Sequence, residues 1–307
     1  MDPWIAAVVT IIGAATPLLY AALGELVAER SGVLNLGVEG MMLVGAVTGF
    51  AVTATTGTAW LGIPAAALAG TLMALLFAVL TLTLLANQVA TGLALTIFGI
   101  GLSALIGSGF VGRPVPQLPT LPIPILSAIP VLGPILFDHD VLIYLSFVMT
   151  ALVAWFLARS RAGLVLRAVG ENDEAAHGLG HGVVKVRYAA VLFGGLMAGL
   201  GGAFLSVSYT PMWIEQMTAG RGWIALALVV FAAWRPWRVL VGAYLFGGVT
   251  IFQLQAQGLG LLPVPSQVLS MLPYLATILV LVVSSLGPWR RRLNAPACLG
   301  RPFRATR

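Results

Sequence analysis

Long apolar runs, separated by short polar stretches, occupy most of this chain. Measured against the roughly 20 residues that cross a bilayer core, they predict spans near 4–23, 33–53, 59–86, 91–109, 141–158, 188–208, 223–233, 239–255 and 273–287. The pattern predicts an all-α, polytopic transmembrane helical bundle of about nine spans. Two runs do not fit a simple crossing, because 59–86 is over-long and 223–233 is too short. Broken or re-entrant helices are therefore expected, since irregular backbone survives at lipid depth only where protein or a wet cavity surrounds it.

Two places carry the interruption. In GELVAERSGVLNLGVEGMMLVGA, Asn35, Gly37, Glu39 and Gly40 fall inside sequence of lipid depth. A carboxylate there carries an insertion penalty of about 2.5–3.5 kcal/mol and faces a bundle interior or a cavity. Glu39 is a candidate either for a solute contact or for a bond that fixes helix packing. In YTPMWIEQMTAGRGWIALALVVFAAW, a polar loop with Glu215, Gln216, Thr218, Gly220 and Arg221 precedes a short apolar segment. Paired interruptions of opposite sense suggest an inverted repeat around a central solute site. Trp213 and Trp223 flank the second interruption, as interfacial anchors or as rings that stack on a planar solute. Asn87, Gln88 and Gln253, Gln255, Gln257 either line a polar route or bond between helices. The stretch GGLMAGLGG places Gly195 and Gly199 four apart, the spacing of close helix contact.

Composition agrees with a bilayer protein: 59% hydrophobic, 8% charged and a mean hydropathy of +1.00, against about 25% charged in soluble domains. The net charge of +6 then concerns topology rather than nucleic acid. If the C-terminal arginines (Arg290, Arg291, Arg292, Arg301, Arg304, Arg307) face the cytoplasm, all but Arg113 and Arg221 of the 16 basic residues do so. The expected orientation is N-terminus outside and C-terminus inside. The first apolar run lacks a basic leader and reads as a retained span. Cys298 is the sole cysteine, which excludes an intrachain disulfide or an all-Cys metal site.

Residues 1–290 thus form one transmembrane domain, followed by a tail over 291–307. The segment 110–140 is an external loop whose recurrent prolines prevent a continuous helix; it is a candidate lid or delivery-protein contact, or an ordered loop with no direct role in transport. The segment 159–187 is the one long charged stretch, with five Lys/Arg and three Asp/Glu. Within it Asn172 can cap a short helix over 173–177 whose first turn holds Asp173 and Glu174, and Gly178 ends it. Ala175 and Ala176 keep that helix slim enough to enter a groove on a soluble partner. His177 and His181 are four apart, but the intervening glycines oppose a helical metal site, and none is expected.

The segment AVGENDEAAHGLGHGVVKVRYAAVLFGGLMAGLGGAFLS resembles the coupling-helix region of bacterial ABC-importer permeases of the branched-chain amino acid, ribose and nucleoside group, and is most similar to the nucleoside permeases. Both interrupted segments resemble forms in the same proteins, in the same order. The resemblance implies a multi-pass permease subunit of a bacterial plasma membrane, paired with a second permease, two cytoplasmic ATP-binding subunits and an extracytoplasmic solute-binding protein. Glu171, Asn172, Glu174, Ala175, Ala176 and Gly180 would form the ATPase contact. Asn35, Glu39, Asn87, Gln88, Trp213, Glu215 and Trp223 are the candidate solute pathway. The chain departs from the family pattern at Asp173, where proline is frequent, and at His181, where a branched apolar residue is. It lacks a G-x-x-x-x-G-K-[ST] loop, so ATP hydrolysis belongs to a partner and no cofactor is assigned to this chain. The expected cargo is a small uncharged polar solute, nucleosides foremost. Simple sugars, branched-chain amino acids, or an ion-coupled transporter using Glu39 are the alternatives. No paired aspartates, Ser/His arrangement or H-E-x-x-H suggests an enzyme.

Overall fold

The computed structural model describes residues 2–127, 129–258, 265–272, 274–275, 278–279, 282 and 295–304. Its helices are α1 (Pro3–Arg30), α2 (Val38–Thr56), α3 (Ala59–Ala78, extended by a π-helical turn, Val79–Thr83), α4 (Gln88–Gly107), α5 (Leu132–Leu136), α6 (Val141–Arg159), α7 (Arg161–Glu171), α8 (Asp173–Gly178), α9 (Val183–Ala203, extended by a π-helical turn, Phe204–Tyr209), α10 (Arg221–Phe231), α11 (Pro236–Gly258) and α12 (Ser266–Ser270). Among the described residues seven helices are long and apolar enough to cross a membrane, not nine. The run at 223–233 is α10, whose 11 residues rise only about 16 Å, half of a ~30 Å hydrocarbon core. The run at 273–287 lies largely outside the described residues. The over-long run 59–86 is one helix whose last turn widens to π geometry before the chain turns at Leu85.

Glycine and alanine build the centre, where α1, α2, α3 and α9 meet. A Cβ on Gly45 would lie 2.6 Å from Gly199 Cα, and one on Gly24 would lie 2.9 Å from Gly194 O. Without those methyls the backbones approach closely enough for dispersion to hold helices that lipid does not drive together. Gly195 and Gly199 both face α3, so the packing reading of GGLMAGLGG accounts for them.

The helices α1 and α9 run antiparallel, with Gly13 beside Tyr209, Gly24 beside Gly194, and Ser31 bonded to Arg187. Each is followed by irregular chain and then by a helix that returns, α2 after α1 and α10 after α9. The two units run in opposite directions, as an inverted repeat requires.

At one end of the bundle, 110–140 forms a cap with a short hairpin, β1 (Thr120–Pro122) against β2 (Asp138–Asp140), in which Thr120 faces Asp140. Asp140 ties this cap down. Its Oδ1 accepts from the Leu142 and Ile143 amides at the start of α6, and its Oδ2 accepts from Ser208 Oγ at 2.6 Å. At the other end lie α7, α8 and the described part of the tail. Residues 295–304 are not free of the domain: they lie along α7 and α8. Trp4 and Trp237 are more than half exposed, as belt residues are, whereas Trp213 and Trp234 are core.

Gly45→Val should lower stability by about 3 kcal/mol, the upper range for overpacking, while Gly101→Ala, with open space at its Cβ, should not destabilise. Thermal unfolding of the solubilised protein measures both; equal Tm values would show that the α2–α9 contact is not tight.

A junction of two helix starts and its cavity

The chain between α1 and α2 cannot satisfy its own backbone, so neighbouring side chains do so. The Asn35 amide donates to Glu25 Oε1 at 2.9 Å, the Leu34 amide donates to Gln88 Oε1 at 2.8 Å, and Thr96 Oγ1 donates to Leu36 O. Asn35 Oδ1 accepts from the Gly37 amide, an Asx turn that launches α2. Helix α2 then begins with Glu39 in its first turn.

Opposite it, α10 begins at Gly220–Gly222, and Glu39 caps it. Glu39 Oε1 accepts from Thr218 Oγ1 at 2.5 Å and from the Gly220 amide at 2.8 Å; Oε2 accepts from the Gly222 amide at 2.6 Å. One carboxylate thus sits at the positive ends of two helices, its own α2 and the facing α10. Gly222 is required by the approach, since a Cβ there would meet Glu39 Cα at 2.6 Å. Arg221 Nη1 donates back to the carbonyls of Met217 and Thr218 and steadies the loop.

The far end of α10 is fastened to α1. Ala233 and Trp234 both adopt left-handed φ, 49° and 54°, uncommon for residues with a Cβ. Trp234 Nε1 donates to Glu29 Oε2, and Arg30 Nη2 donates to Trp234 O at 3.1 Å. Because α10 reaches about 16 Å from that anchor, its amino end and Glu39 lie about midway through the bundle.

Beside the junction opens a cavity of about 490 Å³. Glu39, Leu43, Ile100 and Ile224 form its floor and walls, and Gln216, Ala219 and Gly220 form its loop side. Trp223 and Tyr274, each about half exposed, flank it. Tyr274 Oη donates to Ala219 O at 3.1 Å. The loop is conformationally loaded here: Gln216 and Ala219 have φ of 54° and 47°, conformations sustained only where surroundings over-determine them. Glu39 is spent on amides and a hydroxyl, so the cavity presents aromatic faces and neutral hydrogen-bonding groups. Such a lining suits an uncharged ring solute. Among the described residues its lining holds no nucleophile paired with a base.

Of the predicted pathway residues, Glu39 and Trp223 meet at this cavity. The others do not. Trp213 is 1% exposed and packs with Ala46, Val47, Phe50 and Val115, so it is core and not a stacking platform. Asn35 is a buried turn former, Asn87 is an exposed cap for α4 through Ala90, and Gln88 holds Leu34. Glu215 is exposed and away from the lining. Sequence reasoning missed Tyr274, which lay in an undivided apolar run, and the carboxylates Glu25 and Glu29. Those two stand four apart within GELVAER, and that spacing was the available signal.

At the α8 end, Asn172 Oδ1 caps the short helix through the Ala175 amide at 2.9 Å. Glu171, Glu174, Ala175 and Gly180 are exposed. Ala176 is not: at 2% exposure it packs inward on Val169 and Val183. One turn of helix cannot turn two adjacent residues to the same side. The outward apolar residue is Leu179, 79% exposed. Asp173 pairs with Arg187 at 2.9 Å. His177 stacks edge-on against Phe303, and among the described residues no group of three metal-ligating side chains occurs.

A polytopic bundle in which the half-helix α10 meets the start of α2 beside a solute-sized cavity is the architecture of a membrane transport protein. Residues 7–282 match the family described as the branched-chain amino acid transport system permease component, and the chain belongs to that family. Its members are transport components of ABC systems, which supplants the ion-coupled alternative. A Haloferax volcanii protein provisionally named a glucose ABC transporter permease is 44% identical, over 94% of both chains. A nucleoside ABC transporter permease of Lactococcus lactis is 35% identical over 87% of this chain and 88% of its own. A guanosine ABC transporter permease of Bacillus subtilis is 34% identical over 94% and 93%. No solved structure matches the chain.

Glu39→Gln replaces one acceptor oxygen with a donor facing an amide. The loss of charge-assisted bonds should cost about 2 kcal/mol, read as a fall in Tm, with Thr218→Val costing about half as much. An unchanged Tm in Glu39→Gln would show that the carboxylate does not hold the junction.

Proposed function

We propose that this chain is the membrane-spanning subunit of an ATP-driven importer for a small uncharged ring solute bearing hydroxyls, with nucleosides as the cargo. The observation that carries the reading is the cavity beside Glu39, flanked by Trp223 and Tyr274 and free of uncommitted charge. Aromatic faces favour a planar base, and two relatives near 35% identity are named for nucleosides. A hexose is the second reading. It is favoured by the relative at 44% identity named for glucose, and the same rings can cover the apolar face of a sugar.

The end of the bundle carrying α7 and α8 faces the cytoplasm in this reading. Arg159, Arg161, Arg167, Lys185 and Arg301 gather there, while Arg113 lies in the cap at the opposite end, the bias expected of a cytoplasmic face. The exposed face of α8, Glu174, Ala175 and Leu179, meets an ATP-binding subunit, and the cap over 110–140 meets a solute-binding protein. A second permease completes the pathway, since Bacillus subtilis and Haloferax volcanii each have two related permeases of this kind. ATP is consumed by the partner, and this chain supplies the gate: α10 and α2 shift about their shared carboxylate, opening the cavity to one side at a time.

Two experiments test this. Trp223→Ala and Tyr274→Ala should each raise KM for uptake about tenfold, the value of one stacking contact of ~1.5 kcal/mol. Competition by unlabelled guanosine but not glucose supports the nucleoside reading, and the reverse supports the hexose. Ala175→Arg and Leu179→Glu should leave the protein inserted in the membrane and reduce ATP-dependent uptake to background; full uptake would remove α8 from the ATPase contact.

A further inference from the structure

Arg187 is fully buried at the start of α9, and each arm of its guanidinium reaches a different part of the chain. Nε donates to Ser31 O at 3.1 Å, Nη1 donates to Arg301 O at 3.2 Å, and Nη2 donates to Asp173 Oδ2 at 2.9 Å. The planar fork suits three fixed acceptors, and a buried guanidinium tolerates nothing less. Asp173 is the counter-charge of this arginine.

The segment 295–304 completes the same knot. The Cys298 amide donates to Gly170 O at 2.9 Å and the Gly300 amide donates to Gly32 O at 3.0 Å. Cys298 Sγ lies 3.6 Å from Glu171 O. Phe303 covers Val169, Ala176 and Val183, with its ring against His177 at 5.5 Å. The segment binds the inward side of α8, opposite the outward Ala175 and Leu179. It simultaneously grips Gly32, in the turn that leads into the coil before α2 and Glu39.

We propose that residues 295–304 are a transmission strap, with Arg187 as its joint, that makes α8 and the α1–α2 turn move as one body. Displacement of α8 then pulls the coil 31–37, and through it the amino end of α2 at the cavity. This rests on the reading of α8 as the ATPase contact. Without the strap, α8 would keep its ion pair with Arg187 and the packing of Ala176 on Val169 and Val183, but it would lose the link through Gly300 to Gly32.

The test uses the complete transporter in lipid with its ATP-binding subunits and solute-binding protein. Cys298, 8% exposed, reports strap docking; burial also pushes its thiol pKa up, which slows alkylation further. Phe303→Ala should accelerate maleimide labelling of the Cys298 peptide, read by mass spectrometry. Solute imported per ATP hydrolysed should fall about tenfold, a typical coupling between sites, with recovery of the assembled complex unchanged. Arg187→Lys, which cannot reach three acceptors in a plane, should behave the same way. Unaccelerated labelling in Phe303→Ala overturns the proposal, and so does accelerated labelling with wild-type import per ATP. Leu179→Glu separates the two readings: if it imports normally, the ATPase contact itself is misplaced. If Leu179→Glu blocks import while both strap variants couple normally, the strap alone is refuted.

Discussion

One carboxylate between two helix ends organises this molecule. A half-helix that starts inside a bilayer leaves its first amides without partners, and lipid supplies none. Glu39 supplies them for α10 while standing in the first turn of α2, so two positive helix ends share a single negative charge. The arrangement fixes where both helices begin, forces glycine at position 222, and leaves room beside it for a solute. Because each oxygen is already occupied, Glu39 shapes the site without offering a strong charge to the cargo. The residue pattern leaves solute contact and packing open as its roles; Glu39 stands at the cavity wall with both oxygens bonded to the start of α10 and the loop before it.

The long helix α1 serves as the fixed part against which this junction is held. Glu25 supports the coil before α2, Glu29 and Arg30 hold the turn after α10, and Ser31 meets Arg187. Both helix starts are thus referenced to the same rod. The glycine contacts with α9 make that rod part of a tightly packed centre. The segments with unusual backbone, the loop 216–220 and the turn at 233–234, flank α10 at its two ends.

Much of the architecture was legible because lipid imposes a simple rule on residue order: apolar runs of sufficient length become helices. The broken elements were legible for the same reason, as polar residues and glycines where apolar ones were expected, and the cap on the short helix at Asn172 followed from local chemistry. Depth and facing were not legible. The run at 223–233 reads as too short for a simple crossing, and α10 is that short helix, but composition does not record which other helix shares the crossing. Trp213 looked like Trp223, yet one lies against Gly107 in the core and the other opens on the cavity. Ala175 and Ala176 looked equivalent, and a rotation of about 100° per residue put them on opposite sides of α8. Arg187 read as one more basic residue of a solvated loop, because its three acceptors come from segments more than 100 residues apart and from a nearby acid.

The account stands or falls on where the cargo sits. A cryo-EM map of the assembled transporter in lipid, trapped with guanosine during turnover, is the most direct measurement. The prediction is density for the solute between Trp223 and Tyr274, within hydrogen-bonding reach of Gln216, with Glu39 still bonded to the amides of Gly220 and Gly222. Solute density elsewhere along the bundle, with this cavity closed by its own side chains, would contradict it.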